Sequence, residues 1–135
     1  MNSPYSLHPQ LEKDTLALAN FELCEVRLHK NSQIPWLILI PRRQAITEVM
    51  QLGIRDQELL WQEVRRASEI VTNLFTPDKI NLGSLGNVVS QLHFHVIGRY
   101  KNDSAWPGPV WGVALKSDEK IILAWQKKLT NALNE

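Results

Sequence analysis

The sequence is poor in cysteine, in net charge and in long apolar runs. Its single cysteine, Cys24, excludes an internal disulfide and fits a reducing compartment. The formal net charge is +1, so the composition calls for neither nucleic acid nor a membrane surface as a partner. The longest apolar run, at 36–40, is far shorter than the about 20 residues of a transmembrane helix. Residues 1–10 lack a basic region followed by an apolar one, so we expect no signal peptide and a soluble, cytoplasmic protein.

What remains is an ordinary globular composition, with 44% hydrophobic and 21% charged residues. A chain of 135 residues is long enough for one hydrophobic core and too short for two. We therefore expect a single domain over residues 1–135. Its core is expected over about residues 20–100, followed at 101–135 by a loop containing Trp and Pro and by a last helix.

Two segments in the first third of the chain have the patterns of β-strands. Residues 21–28 alternate apolar and charged side chains, with a change of parity near Cys24 that predicts a bulge or a break between two short strands. Residues 36–40 are apolar on both faces and stop at Pro41, which is typical of a central strand covered on both sides.

Two further strands are predicted as a hairpin in the second half of the chain. Residues 79–84 form the first and residues 91–99 the second. The loop between them, at 85–90, contains Gly86 and Asn87, which are typical turn residues.

Helical spacing is clearest over residues 56–75, where apolar side chains recur every three or four positions. A single helical turn is predicted after His8, and Thr47 is a candidate N-cap for a short helix at 48–52. Ser117 is the candidate N-cap of a last helix, whose buried stripe is predicted to be Ile121, Ile122, Trp125, Leu129 and Leu133. Helices mixed with four or five strands, without regular alternation, predict an α+β fold with an antiparallel sheet.

The segment 91–99 carries the strongest functional signal. Its side chains alternate with a period of two, as in a strand with one face on a core. The two sets are Leu92, Phe94 and Val96 on the core face, and Gln91, His93 and His95 on the other face. The second face therefore presents an amide and two imidazoles in a row, pointing out of the core.

The two imidazoles suit a phosphate ester as substrate. A neutral imidazole is a nucleophile at pH 7 and a good leaving group once it carries a phosphoryl group. A second imidazole can stabilise the oxygens around the reacting atom, and the backbone amides at Gly86 and Asn87 can approach an anion closely. The cations expected near this strand are Lys79, Arg99, Arg42 and Arg43.

Other interpretations of these residues stay open. A His-x-His pair also suits a metal, but zinc normally takes a third protein ligand. His8, His29 and Cys24 have no ligand-like spacing, so we predict no metal site. Each basic residue, taken alone, is typical of a solvated surface, and Trp106 and Trp111 are typical of packing. Cys24 lies in a strand pattern that is typical of a core.

The segment Gln91-Leu92-His93-Phe94-His95-Val96-Ile97 resembles the signature of the histidine triad (HIT) family, in which three histidines alternate with hydrophobic residues. Residues 36–42 resemble the family's central strand, which ends in Pro and a basic residue. Asn81 and the Gly86-Asn87 turn are similar to an Asn and a Gly-Gln pair before the triad. The resemblance runs from about residue 21 to residue 99, and the Trp-Pro loop resembles that of compact bacterial members.

The resemblance implies a five-stranded antiparallel sheet with helices packed against it, in a homodimer that needs no cofactor. It also implies a nucleotide hydrolase or nucleotidyltransferase acting at the α-phosphate of dinucleoside polyphosphates, such as diadenosine polyphosphates, or of nucleoside phosphoramidates. His93 would be the nucleophile that carries the nucleotidyl group, and His95 would bind the phosphate oxygens. Further phosphate contacts would come from Asn81, Gly86, Asn87 and Val89.

Three positions depart from the family pattern. Gln91 replaces the first histidine of the triad, in a supporting role for catalysis, and its amide can still donate and accept hydrogen bonds there. Val88 stands where many members have a Ser or Thr near the leaving group. Lys30 stands where the ribose hydroxyls are usually bound, a role that Asn31 could take after a shift of one residue. The alternative to an enzyme is therefore a nucleotide-binding HIT domain with little or no turnover.

Overall fold

The computed structural model describes residues 5–135, which form a five-stranded sheet, three α-helices and one short 3-10 helix. The prediction that no signal peptide is present concerns residues 1–10, and residues 1–4 lie outside the described residues. In chain order the elements are α1 (Pro9–Asp14), β1 (Thr15–Asn20), β2 (Cys24–His29), β3 (Trp36–Pro41), the 3-10 helix (Val49–Gln51), α2 (Ile54–Phe75), β4 (Lys79–Gly83), β5 (Phe94–Arg99) and α3 (Glu119–Leu133). Among these described helices, none combines the length and the apolar character that crossing a membrane requires.

The strands are ordered β1-β2-β3-β5-β4, and each is antiparallel to its neighbours. β3 lies at the centre, and all six of its residues are buried because its apolar side chains pack on both faces of the sheet. The expected α+β fold with a five-stranded antiparallel sheet is confirmed.

The two faces of the sheet are covered by different parts of the chain. On one face, Leu39 and Val96 of the sheet pack into a hydrophobic cluster with residues of α2 and α3. On the opposite face, Ile38 packs with Leu11 of α1 and with Val110 from the loop after β5. The centre of the sheet is therefore buried on both sides.

The side chains around β5 face as predicted, but the histidine face is not open. Leu92 and Val96 lie in the helix-side cluster, with Phe94 packed against it. His93 and His95 lie on the other face, yet they are only 7% and 6% exposed. The expectation that they point out of the core is wrong, because the second hydrophobic cluster covers that face too.

Of the segment 21–28 that was predicted as strand, residues 21–23 form a turn and only residues 24–28 lie in a strand. β1 has already ended at Asn20, and β2 begins at Cys24, which is fully buried as predicted. The prediction of two strands within 21–28 is therefore wrong, and the strand before the turn, β1, had not been predicted. The carboxylate of Glu63 on α2 holds the turn by accepting hydrogen bonds from the backbone N–H groups of Leu23 and Cys24, both at 2.8 Å. A contact with a distant helix thus decides where β2 begins.

Two helix caps differ from their predicted positions. The N-cap of α3 is Asp118 and not Ser117, because the Asp118 carboxylate accepts a hydrogen bond from the Lys120 backbone N–H at 3.0 Å. The short helix predicted at 48–52 is reduced to the 3-10 helix, and its N-cap is Glu48 and not Thr47.

Three further boundaries or exposures also differ. α2 begins at Ile54, two residues earlier than predicted. β5 begins only at Phe94, since the backbone N–H of Leu92 donates outside the sheet, to the carbonyl of Ile46 at 2.9 Å. Ile121, predicted to be in the buried stripe of α3, is 40% exposed.

Candidate active site

A cavity of about 480 Å³ lies on the histidine face of the sheet. Its walls come from α1, the end of β2, β3, the loop before β5, the start of β5 and the loop after it. The lining residues are Gln10, Leu11, Asp14, His29, Trp36, Ile38, Leu85, Gly86, Asn87, Val88, Val89, His93, His95 and Trp111. The fold thus brings five of the sequence-predicted site residues together, namely His93, His95, Gly86, Asn87 and Val89.

His93 is held in one tautomer by the main chain. Its Nδ1 lies 2.7 Å from the backbone carbonyl oxygen of Gln91. A carbonyl oxygen only accepts hydrogen bonds, so Nδ1 carries the proton and donates it. Nε2 of the neutral ring therefore has a free lone pair, which is the state that a nucleophile requires.

His95 is held in the opposite tautomer by Trp36. The indole Nε1–H of Trp36 donates to Nδ1 of His95 at 2.9 Å, and an indole can only donate. Nδ1 of His95 is therefore the acceptor, and Nε2 carries the hydrogen. Burial, and then the neighbouring His93 and His29, lowers the pKa of His95 to about 3, so the ring is a neutral hydrogen-bond donor at pH 7.

Aromatic rings surround His95. The ring centroids of His93 and His95 are 4.9 Å apart, and that of Trp111 lies 5.3 Å from His95 on another side. Trp111 reaches this place across Gly83, the partner of His95 on β4. A Cβ atom at Gly83 would lie 3.3 Å from the Trp111 ring, so the absence of a side chain there makes room for the indole.

The loop before β5 supplies backbone amides to the cavity. Gly86 has a φ of 74°, which lies in the left-handed region that glycine adopts at little cost. Within residues 5–135, no backbone hydrogen bond uses the N–H groups of Gly86, Asn87, Val88 or Val89. These amides are therefore free to donate to an anion.

The opposite wall was not predicted from the sequence. His29, at the end of β2, stacks on the Trp36 indole with centroids 4.0 Å apart and planes inclined by 7°. Asp14, at the end of α1, also lines the cavity, and the side-chain amide of Gln10 donates to both of its carboxylate oxygens at 3.0 and 2.9 Å. Burial lowers the pKa of His29, while the Asp14 carboxylate acts in the opposite direction.

A sequence signal existed for one of these residues. His29 lies two positions after Arg27, whose partner in β3 is Ile38, and Ile38 is also the partner of His95. Because side chains alternate between the two faces of a strand, His29 lies on the same face as Arg27, and the strand pairing then places it on the histidine face. Gln10 and Asp14 gave no such signal, because only the packing of α1 against the sheet brings them to the cavity.

Gln91 does not lie in the row of imidazoles. Its side-chain oxygen accepts from the backbone N–H of His8 at 2.8 Å, and its side-chain nitrogen donates to the carbonyl of Ser6 at 2.9 Å. The amide thus points to the N-terminal segment, and Gln91 lines a separate cleft beside residues 6–9. The expectation that its side chain supports catalysis beside His93 is wrong, because both of its polar atoms are used elsewhere.

Asn31 and Asn81 also lie outside the cavity. The Asn31 side chain is 1% exposed, and its oxygen accepts from the backbone N–H groups of Gln33 and Ile34 at 2.9 and 2.7 Å. It stabilises the turn before β3 and is not available to a ribose. The side-chain oxygen of Asn81 accepts a hydrogen bond from the Arg99 guanidinium at 2.9 Å, so this oxygen already has a partner within the protein.

The basic residues expected around the phosphate have other partners. Arg99 is 1% exposed and donates to both carboxylate oxygens of Asp103 at 2.8 and 3.0 Å. Arg42 donates to backbone carbonyls in the turn after β1, Arg43 pairs with Asp56 at 2.7 Å, and Lys79 bonds to a neighbouring carbonyl. The lining of the cavity includes no Lys or Arg side chain among the described residues.

The Arg99–Asp103 pair organises the loop that leads to Trp111. The Asp103 carboxylate accepts from Arg99 and from the backbone N–H groups of Tyr100, Ala105 and Trp106. The hydrogen bond from Arg99 is the main cause that lowers the pKa of Asp103, and the backbone donors add to it. Arg99 thus has a structural function that explains its burial.

A metal centre has no ligand set in this part of the chain. Among residues 5–135, no group of three or more His, Cys, Asp or Glu side chains is arranged to hold a metal ion. His93 and His95 lie close together, but a third ligand is normally required for zinc.

The fold is that of a known family. The family model described as "HIT domain" matches residues 10–102. A histidine triad protein from Marinobacter aquaeolei VT8 is 40% identical, with a TM-score of 0.91 and coverage of 96% of each chain. The chain belongs to the HIT domain family.

Two other solved relatives are equally similar in structure. A histidine triad protein from Bradyrhizobium japonicum is 37% identical, with a TM-score of 0.90 and coverage of 95% of this chain and 97% of that chain. One from Sinorhizobium meliloti 1021 is 36% identical, with a TM-score of 0.90 and coverage of 96% and 97%. No curated protein matches the sequence significantly. HIT proteins generally bind and process nucleotides.

Proposed function

We propose that this HIT protein is a nucleotide hydrolase or nucleotidyltransferase that acts at the α-phosphate of a dinucleoside polyphosphate or a nucleoside phosphoramidate. The observation that carries the proposal is the pair of opposite tautomers in one cavity. His93 offers a free Nε2 lone pair, while the neighbouring His95 offers an Nε2–H donor. A nucleophile beside a neutral donor is the arrangement that phosphoryl transfer through a covalent histidine needs.

In the first step, Nε2 of His93 attacks the α-phosphorus. A phosphorus–nitrogen bond forms while the bond to the leaving group breaks, and the leaving group departs with the electron pair and takes a proton from solvent. The modified imidazole ring gains positive charge, which strengthens the hydrogen bond from Nδ1–H to the Gln91 carbonyl. In the second step, water or another acceptor attacks phosphorus and releases its proton to solvent, and the electron pair of the phosphorus–nitrogen bond returns to Nε2.

Neutral donors hold the phosphate oxygens in this mechanism. His95 Nε2–H and the amides of the loop at 86–89, which line the same cavity and have no backbone partner within residues 5–135, would donate to the developing negative charge. Val88 is 94% exposed at the cavity and has no hydroxyl, so it supplies no proton to the leaving group.

The test is the mass of the intact protein after rapid, acid-free quenching of its reaction with a dinucleoside polyphosphate. We expect a nucleotidyl adduct on the wild-type protein and none on His93→Ala. Lys79→Gln is the control, because Lys79 lies on β4 outside the cavity and should leave both the adduct and turnover unchanged.

Turnover by His93→Ala at the wild-type rate would refute the mechanism. Nucleotide binding without adduct or product in the wild-type protein would instead favour the alternative, a nucleotide-binding HIT domain with little or no turnover. Product without a trapped adduct that still requires His93 would be consistent with a short-lived intermediate.

The proposal includes a homodimer, as the family resemblance implies, and a location in the cytoplasm, which the single cysteine favours. Light scattering of the purified protein measures the oligomeric state directly. A monomer at micromolar concentration would contradict this part of the proposal without affecting the chemistry at His93.

A further inference from the structure

We propose that Gln91 is a positioning residue that fastens the N-terminal segment, residues 5–14, over the sheet as one wall of the nucleotide cavity. The inference rests on the proposed function, since it concerns how tightly that cavity holds a nucleotide. It gives a physical role to a side chain that does not face the imidazoles.

Both ends of the Gln91 amide are used in this contact. Its oxygen accepts from the backbone N–H of His8 at 2.8 Å, and its nitrogen donates to the Ser6 carbonyl at 2.9 Å. At the beginning of the segment, the Tyr5 hydroxyl donates to Glu25 of β2 at 3.2 Å. The segment is therefore fixed to β2 and to the loop before β5 by residues distant in the chain.

The anchored residues lead directly into the cavity wall. The imidazole Nδ1 of His8 caps α1 by accepting from the backbone N–H of Gln10 at 3.0 Å. Leu11 and Asp14 of α1 then line the cavity together with the loop at 86–89. A helix of six residues is too short to be stable alone, so its position depends on such tertiary contacts.

The main chain of the same residue holds the nucleophile. The carbonyl of Gln91 accepts from Nδ1–H of His93 at 2.7 Å, while the Gln91 side chain holds His8. Gln91 thus holds both the cavity wall, through its side chain, and the nucleophile His93, through its backbone carbonyl. A nucleotide bound between α1 and His93 would contact both. Loss of the side-chain amide should loosen the wall and leave the Gln91 carbonyl, and hence the His93 tautomer, in place.

The test compares Gln91→Met with Gln126→Met. Methionine is similar in length to glutamine but makes neither hydrogen bond. Gln126 is a matched control because its amide also donates to a backbone carbonyl, that of Ala17 at 3.0 Å, but far from the cavity. The probes are adenosine monophosphate for binding and a dinucleoside polyphosphate for turnover.

For Gln91→Met we expect Kd and KM to rise about tenfold, the equivalent of about 1.4 kcal/mol, while kcat changes less than about threefold. This split separates a loosened wall from general damage, which would lower kcat as well. Gln126→Met should change neither constant. Unchanged Kd and KM in Gln91→Met, or a loss confined to kcat, would overturn the proposal.

Hydrogen exchange at the His8 amide tests the anchor without any nucleotide. We expect this amide to be protected in the wild-type protein and in Gln126→Met, and to exchange faster in Gln91→Met. Rapid exchange in the wild-type protein would overturn the proposal. A protected His8 amide in a wild-type protein that binds no nucleotide would support the anchor and refute the proposed function, so the two failures are distinguishable.

Discussion

His95 should make the stability of this protein depend on pH in a defined direction. Burial, together with His93 and His29, lowers the pKa of His95 to about 3 in the folded protein, whereas an imidazole in an unfolded chain has a pKa of about 6.5. Between these values the unfolded chain binds a proton at residue 95 and the folded protein does not. The contribution is therefore fully present above about pH 6.5 and is lost as the pH falls toward about 3.

The magnitude follows from the two pKa values. Relative to about pH 8, the free energy of unfolding should decrease by about 2 kcal/mol at pH 5 and by about 3 kcal/mol at pH 4 through this group alone. The main structural reason is the burial of His95, followed by the nearby His93 and His29. The hydrogen bond from Trp36 Nε1 to His95 Nδ1, at 2.9 Å, also occupies the nitrogen that would take the proton. Protonation of His95 would place two N–H groups against each other in a buried site.

The assay is urea unfolding of the wild-type protein and of His95→Gln at about pH 8 and pH 5. Other groups that titrate in this range, including His29, are present in both proteins, so their contributions largely cancel. We expect the wild-type protein to lose about 2 kcal/mol more than the variant on acidification. Equal losses in the two proteins would refute the argument, as would an NMR titration in which His95 gains its proton near pH 6.5.

Three substitutions test other parts of the site. Trp36→Phe removes the donor that fixes the His95 tautomer, so turnover should fall about tenfold, equivalent to one lost hydrogen bond; a wild-type rate would show that the tautomer does not matter. Asn31→Ala leaves the buried backbone N–H of Ile34 unpaired and should cost about 1–3 kcal/mol in urea unfolding. Nucleotide affinity should stay unchanged, and weaker binding without loss of stability would restore the ribose role. Phe94→Ala should cost less than the about 3–5 kcal/mol of a fully buried Phe, since Phe94 is half-buried; a thermal unfolding loss in that range would contradict this.

The sequence alone was sufficient to predict the elements whose burial follows from the local spacing of apolar residues. Helical spacing predicted a shared face of α2 for Leu60, Val64, Ala67, Val71 and Leu74; the first four are buried there and Leu74 is half-buried. The apolar run of β3 predicted a strand covered on both sides, and it is. The spacing of apolar residues shows which of them lie on the same face of a helix or strand, because this depends only on the geometry of the backbone.

The same rule sorted the faces of residues 92–96 correctly and failed at Gln91. His95 lies within the ladder, opposite Ile38, whereas Gln91 precedes it and turns its amide to Ser6 and His8, more than 80 positions away in the chain. An amide donates and accepts equally well in many settings. Its residue type therefore does not reveal whether it bonds a substrate, as expected of Asn31, or the protein's own backbone.

Only the tertiary structure decided the chemistry of the two imidazoles. Their residue types and spacing follow from the sequence, but the Gln91 carbonyl and the Trp36 indole fix which nitrogen carries the proton. The packing of α1 against the sheet adds Gln10, Leu11 and Asp14 to the lining of the cavity. Tautomer, pKa and cavity shape depend on groups that are distant in sequence and adjacent in space, so no local pattern encodes them.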